Sequence, residues 1–252
     1  MRSSLLVLGA PYCGSTLLGR LLDTHPRMAC GGEFGLLGQA IANGRPCSCG
    51  LPVTECPFWQ KTMPALRGRS WRDYAPADFA RVRAVLGVDV LVDLSKSLCW
   101  RMARMPWSAW RREGAFIYLV RDSRAVIAAD LRKGEPLDAA MAKHFKWAAR
   151  FERFAARHPD RTRVMHYETL CTQPEAELRG LCQWLGVPFD AAMLDPSAQA
   201  HHFAHSSTSS YTKTQKEIRL DERWRAELSP DLVTRIEQRM RQLPLEAAFY
   251  VK

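Results

Sequence analysis

A doubly wound α/β fold, three-layered α/β/α with a central parallel sheet flanked by helices, is predicted by two observations. Short apolar runs rich in Val, Ile and Tyr recur at 5–8, 88–92, 115–120 and 163–166, each followed by a longer stretch with helical spacing. The runs barely alternate in polarity, as expected of parallel strands covered on both faces. Helices are expected over 15–24, 34–43, 76–86, 97–105, 123–132, 138–157, 173–186 and 229–241. Two stretches break the rhythm: a Cys-rich loop or lid at 44–60 and a polar, Ser- and His-rich segment at 197–220. Such segments beside an α/β crevice serve as lids and ligand-contact loops.

With 252 residues, 47% of them hydrophobic, the chain has material for one sizeable core, and a single domain over 1–252 is expected. The 36 Lys and Arg against 26 Asp and Glu give a formal charge of +10, which implies an anionic partner. The basic residues are dispersed and no aromatic-basic recognition motif is present, which argues against nucleic acid. The apolar run at 5–8 is too short for a signal-peptide core, and no run approaches membrane-spanning length. A soluble, cytoplasmic protein is therefore expected, with its eight cysteines reduced and mostly filling core. Cys47, Cys49 and Cys56 with Cys30 form a candidate zinc set, although the C-x-C spacing departs from the usual C-x₂₋₄-C. His201, His202 and His205 are a weaker one, and no metal is expected overall.

Gly9-Ala10-Pro11-Tyr12-Cys13-Gly14-Ser15-Thr16 lies between the first strand and the first helix. Gly9 and Gly14 are spaced like the glycines of a P-loop, so the expected fold is P-loop-like, with backbone N–H groups and a helix N-terminus arranged around an anion. The Walker lysine is absent. A nucleoside triphosphatase needs that lysine on the outer phosphates, so the turn suits a nucleotide with a single 5'-phosphate group. A tight turn with glycines placed for packing is the bland alternative.

Residues 11–18, Pro-Tyr-Cys-Gly-Ser-Thr-Leu-Leu, resemble the Pro-Arg-Ser-Gly-Thr-Thr-Leu-Leu loop of sulfotransferases that use 3'-phosphoadenosine 5'-phosphosulfate (PAPS). Leu22 to Pro26 and Gly31-Gly32-Glu33 continue the resemblance. Residues 118–126, Tyr-Leu-Val-Arg-Asp-Ser-Arg-Ala-Val, are similar to the family segment that contacts the 3'-phosphate. Tyr167-Glu168-Thr169-Leu170 and Leu185-Gly186-Val187-Pro188 resemble further pieces, and Cys47-Ser48-Cys49-Gly50 with Cys56-Pro57-Phe58-Trp59 looks like a loop of bacterial members. The pieces occur in the family's order over most of the chain.

The resemblance implies sulfuryl transfer from PAPS to an acceptor hydroxyl or amine, without a metal. That chemistry needs a base at the acceptor and donors or cations at the leaving phosphate. Cys13, Gly14, Ser15 and Thr16 are expected to hold the 5'-phosphate and Arg121 the 3'-phosphate, with Arg124, Tyr167 and Lys213 as further nucleotide contacts. Glu33 matches the position that resembles a catalytic base, though a Glu there also fits a cap on the following helix. His25 is the rival base, or a helix-end residue. At Tyr12 the family carries a cation, and Tyr12 can offer only one hydrogen bond. Lys96 is the candidate replacement cation, alongside the plainer reading of a solvated surface charge. Ala129 stands where the family offers a Ser hydroxyl; Arg124 or Lys213 could compensate, or Arg124 could pair with an acid on its own helix. The competing readings are a catalytically weak PAPS-binding protein and a small-molecule kinase, the latter disfavoured by the missing lysine. Acceptor identity and oligomeric state have no signature in the sequence.

Overall fold

A computed structural model of the chain describes residues 2–68, 73–97, 99, 114–204 and 217–247. Its sheet has five parallel strands: β1 Ser4–Leu8, β2 Met28–Cys30, β3 Val90–Asp93, β4 Ala115–Val120 and β5 Thr162–His166. Their order is β2-β3-β1-β4-β5. The chain thus runs from β1 to β2 and β3 on one side and then crosses to β4 and β5 on the other, and the crevice of an open α/β sheet opens at such a reversal, outside the carboxyl ends of the strands.

Eleven α-helices surround the sheet among the described residues: α1 Ser15–Asp23, α2 Leu37–Ala42, α3 Pro57–Thr62, α4 Pro76–Leu86, α5 Ser123–Leu131, α6 Leu137–Arg157, α7 Tyr167–Thr172, α8 Pro174–Leu185, α9 Trp224–Glu227, α10 Pro230–Met240 and α11 Pro244–Ala247. The pleat explains the continuous apolar runs. Leu5 and Val7 enter one core with Leu17, Leu18 and Leu21 of α1 and Leu178 and Leu181 of α8. Leu6 and Leu8 enter the opposite core with Phe34, Trp59, Phe79 and Phe151. Each fully buried Leu contributes about 1.5–3 kcal/mol, so a polar residue in place of Leu5, Leu6 or Leu8 would be costly on either face of β1. A smaller core joins α5, α6, α9 and α10 through Ile127, Phe145, Trp224 and Ile236.

The predicted helices and strands are present within a residue or two where the structure describes them, with three differences. The 34–43 helix opens as a 3₁₀ turn, Phe34–Leu36, before α2. The 44–60 stretch is only partly irregular, because Pro57 occupies the first turn of α3, where its missing N–H costs nothing. The helix expected at 97–105 lies almost wholly outside the described residues. No helix among the described residues is long and apolar enough to cross a membrane.

Candidate active site

Four carboxyl strand ends converge on the crevice. β1 leads into the turn 9–14, β2 into Gly31-Gly32-Glu33, β3 into Leu94-Ser95-Lys96 and β4 into Arg121-Asp122. Leu94 N donates to Gly32 O at 2.9 Å, which ties the β3 exit to the β2 exit.

The turn is built around two close approaches. A Cβ on Gly9 would stand 2.6 Å from Cys13 Sγ, and one on Gly14 would stand 2.3 Å from Tyr167 Cδ2. Gly14 also has φ +92°, left-handed backbone that favours glycine. It is the N-cap of α1, which has neither a capping side chain nor an acid in its first turn. The leading amides of α1 therefore keep their affinity for an anion. At the same point α5 is closed off, since Asp122 accepts from Arg124 N at 2.9 Å. Cys13 and Ser15 are buried. Burial raises the Cys13 thiol, while the Lys96 charge and hydrogen bonding with Ser15 act against it.

Glu33 and Lys96 meet across the crevice. Lys96 Nζ donates to Glu33 Oε1 and, at 3.2 Å, to Leu94 O. The two side chains are 16% and 17% exposed, so Lys96 is not a solvated surface charge. Glu33 precedes the 3₁₀ turn but makes no side-chain capping bond, contrary to the plainer reading of that residue. Desolvation opposes the ammonium, yet the Glu33 carboxylate outweighs it and holds Lys96 above its ordinary pKa. Among the described residues, the non-glycine residues with positive φ are Tyr12 at 64° and Lys96 at 52°, so backbone strain is concentrated at this site. Beneath the pair, buried Asp93 accepts from Ser95 N at 2.9 Å and Phe34 N at 3.2 Å, and Ser95 Oγ accepts from Gly35 N at 2.8 Å. Burial lifts the Asp93 carboxyl to about 6 despite those donors, with Glu33 adding repulsion.

Arg121 is 8% exposed. It donates to Tyr12 O at 2.8 Å and Asp221 O at 2.9 Å, pairs with the Asp221 carboxylate at 3.2 Å, and lies 4.3 Å over the Tyr167 ring. Its Nε is buried without a partner among the described residues. Burial acts to raise Asp221, but bonds from Arg223 and the Arg121 charge bring its carboxyl well below the usual range. Tyr12 thus supports Arg121 through its backbone. The charges that reach the Tyr12 phenol, Asp130, Lys143, Arg132 and Glu135, lie on α5, α6 and their connection. Arg124 is held by Asp122, the N-cap of its own helix, and by Glu237 of α10, both at 2.7 Å, and stacks on Trp224, so acids pair with it, but one of them comes from another helix. Lys213 lies outside the described residues.

His25 is not at the site. It is buried, with Nε2 donating to Pro188 O at 2.8 Å and Nδ1 accepting from Arg27 N at 3.0 Å. The candidate zinc set also changes. Cys30 belongs to the core on the α1 face and Cys47 and Cys56 to the other, whereas His202 joins Cys47, Cys49 and Cys56. Sequence reasoning missed two further groups. Glu168 Oε1 accepts from Asp122 N at 3.0 Å, its Oε2 has no partner among the described residues, and burial lifts its carboxyl to about 7. Ser123 Oγ lies 2.6 Å from both His144 Nε2 and Glu246 Oε2, a buried network that ties α11 to the start of α5. The position of Glu168 after the β5 exit was a usable signal; the 123-residue separation of Ser123 and Glu246 left none.

Residues 113–191 match the model of a family described as the sulfotransferase family. The stretch spans β4 through α8 and includes Arg121, Tyr167 and Glu168. In structure the chain is similar to the sulfotransferase domain from the curacin biosynthetic pathway, at TM-score 0.61 and 20% identity over 97% of this chain and 99% of that one. It is similar to the sulfotransferase domain of the Synechococcus PCC 7002 olefin synthase at TM-score 0.59 and 22% identity, covering 94% and 93%. Mouse sulfotransferase SULT7A1, complexed with PAP, follows at TM-score 0.57 and 10% identity, covering 96% and 84%. No curated protein matches the chain in sequence.

Proposed function

We propose that the chain is a sulfotransferase that moves the sulfuryl group of PAPS to an acceptor hydroxyl or amine, a reading supported by the family match at 113–191 and by the fold it shares with sulfotransferase domains. The observation that carries this reading is the Glu33–Lys96 pair, set at strand ends beside an uncapped phosphate-type turn whose Cys13 feels the Lys96 charge. In the transfer, the bond from sulfur to the 5'-phosphate oxygen breaks and a bond from sulfur to the acceptor oxygen or nitrogen forms. Glu33 takes the acceptor proton, and Lys96 supports the charge that builds on the leaving oxygen. The amides of Cys13 to Thr16 hold the 5'-phosphate, and Arg121 faces the 3'-phosphate with Tyr167 beneath it. Without donor, Lys96 and Glu33 neutralise each other. A phosphate near Lys96 competes for the ammonium and leaves the carboxylate free to act as base.

The test is a calorimetric titration with the desulfonated nucleotide, with and without Mg²⁺, followed by transfer of labelled sulfate from PAPS to a panel of alcohols, phenols and amines. Binding without Mg²⁺ and label in an acceptor are the expected results. Tighter binding of ATP with Mg²⁺ points to a kinase and sinks the proposal. Binding with no turnover on any acceptor or water points to a nucleotide-binding protein instead.

A further inference from the structure

The Cys-rich turn and the start of the late polar segment meet away from the transfer chemistry. Cys47, Cys49 and Cys56 each offer a sulfur and His202 a ring nitrogen, and all four donor atoms lie within 4.8 Å of one another. Cys56 Sγ stands 3.3 Å from His202 Nδ1. Cys47 and Cys56 are buried and the other two partly so.

The backbone holds this arrangement independently of the sulfurs. Cys47 N donates to Leu51 O at 2.8 Å and Gly50 N to Cys47 O at 2.9 Å, closing a turn in which Gly50 has φ +96°. Ser48 stitches that turn to the far segment: its N donates to Phe203 O at 3.1 Å, its Oγ donates to His201 O at 2.6 Å and accepts from Phe203 N at 2.8 Å. The His202 ring stacks on Phe58 with centroids 5.7 Å apart and planes 5° apart.

We propose that Cys47, Cys49, Cys56 and His202 hold one zinc ion in a closed tetrahedral site that locks the Cys-rich turn onto residues 201–204. Thiolates with an imidazole suit zinc, and three Cys with one His is a structural donor set. Zinc–sulfur bonds of about 2.3 Å in a tetrahedron place sulfurs roughly 3.8 Å apart, so the four donors close on an ion with shifts below about 1 Å. On binding, the three thiols release their protons to solvent and His202 binds as the neutral imidazole, leaving a net charge of roughly −1 on the site. The consequence reaches the catalytic loop. Two residues past His202, Ala204 donates to Gly31 O at 2.9 Å and accepts from Glu33 N at 3.3 Å, so the ion anchors the backbone that positions Glu33.

The whole chain, purified with reductant and without chelator and given one equivalent of zinc, should retain one zinc per chain after gel filtration. Cobalt in its place should give the intense visible bands of a tetrahedral site and a thiolate charge-transfer band. Cys49→Ser and His202→Ala should bind zinc at least about 100-fold more weakly, beyond the 10–100-fold that losing a mere supporting group costs, while Cys30→Ser keeps its zinc. Zinc X-ray absorption on the unaltered chain needs no variant, and should show three sulfurs and one nitrogen. No retained zinc, a shell of oxygen and nitrogen alone, a persistent disulfide among the three cysteines under reductant, or full zinc binding in both variants overturns the assignment.

Discussion

Glu33→Gln isolates the role of the base with the least change of shape. The amide keeps an oxygen for Lys96 Nζ but has neither the charge nor the proton affinity of the carboxylate. General-base assistance is worth about 10²–10⁴ in rate, and at 1.36 kcal/mol per decade the barrier should rise by about 3–5 kcal/mol. Folding should suffer less. Lys96 retains its bond to Leu94 O, and losing the charge of one partner in a pair 16% and 17% exposed is worth about 1–3 kcal/mol. Affinity for the desulfonated nucleotide should hold or rise, because Lys96 is freed to meet a phosphate. The measurements are kcat for labelled-sulfate transfer, with slow PAPS hydrolysis as the acceptor-free readout, and calorimetry with the nucleotide. Unchanged kcat in Glu33→Gln refutes the base, and a fall in nucleotide affinity matching the fall in kcat refutes the division of labour.

Gly14→Ala should lose nucleotide affinity and stability together. The methyl would meet Tyr167 Cδ2 at 2.3 Å, and φ +92° adds about 1–2 kcal/mol of backbone cost, lowering Tm by at least about 2–8 °C. Glu168 has a raised carboxyl, so the native state holds a proton that the unfolded chain has lost. Stability should therefore fall as pH rises from about 4.3, the unfolded value, to about 7, the folded one, and Glu168→Gln should remove that slope in thermal melts across the window. Asp221 is lowered instead, so its contribution is present above about 3.9 and is lost only as pH falls through its still lower native value. Arg121→Ala should reduce that acid-range loss. It should also cost up to about 3 kcal/mol in denaturant unfolding, below the usual range for breaking a buried pair because Arg223 stays on Asp221.

The fold was legible because parallel strands buried on both faces leave continuous apolar runs, and β1, β3, β4 and β5 carry them. β2 has three residues and no period to detect, while α7, α9 and α11 are too short to show one. Within the site, the turn, Lys96 and Arg121 could be found because each follows the end of a legible strand, and Glu33 because Gly31-Gly32-Glu33 carries the family resemblance. The Asp93–Ser95 support under Glu33 could not, since its bonds to Phe34 and Gly35 span 59 and 60 residues. Three members of the cysteine set were legible, and the fourth was missed for a geometric reason. Grouping by nearness in sequence favours Cys30, but the pleat of β2 sends that thiol into the α1-side core, and the histidine in its place lies 146 residues from Cys56.

Residues 201–204 lack periodicity, yet the amides of Phe203 and Ala204 are committed. Phe203 N and Ala204 N are donors, and their carbonyls accept from Ser48 N and Glu33 N, with Ala204 bridged in parallel to Gly32. Amide exchange with deuterium follows the opening of such bonds rather than the name of the element that contains them. By that measure this short ribbon should be recorded as sheet: slow to exchange, and poorly cut by a protease that needs an extended, unpaired backbone.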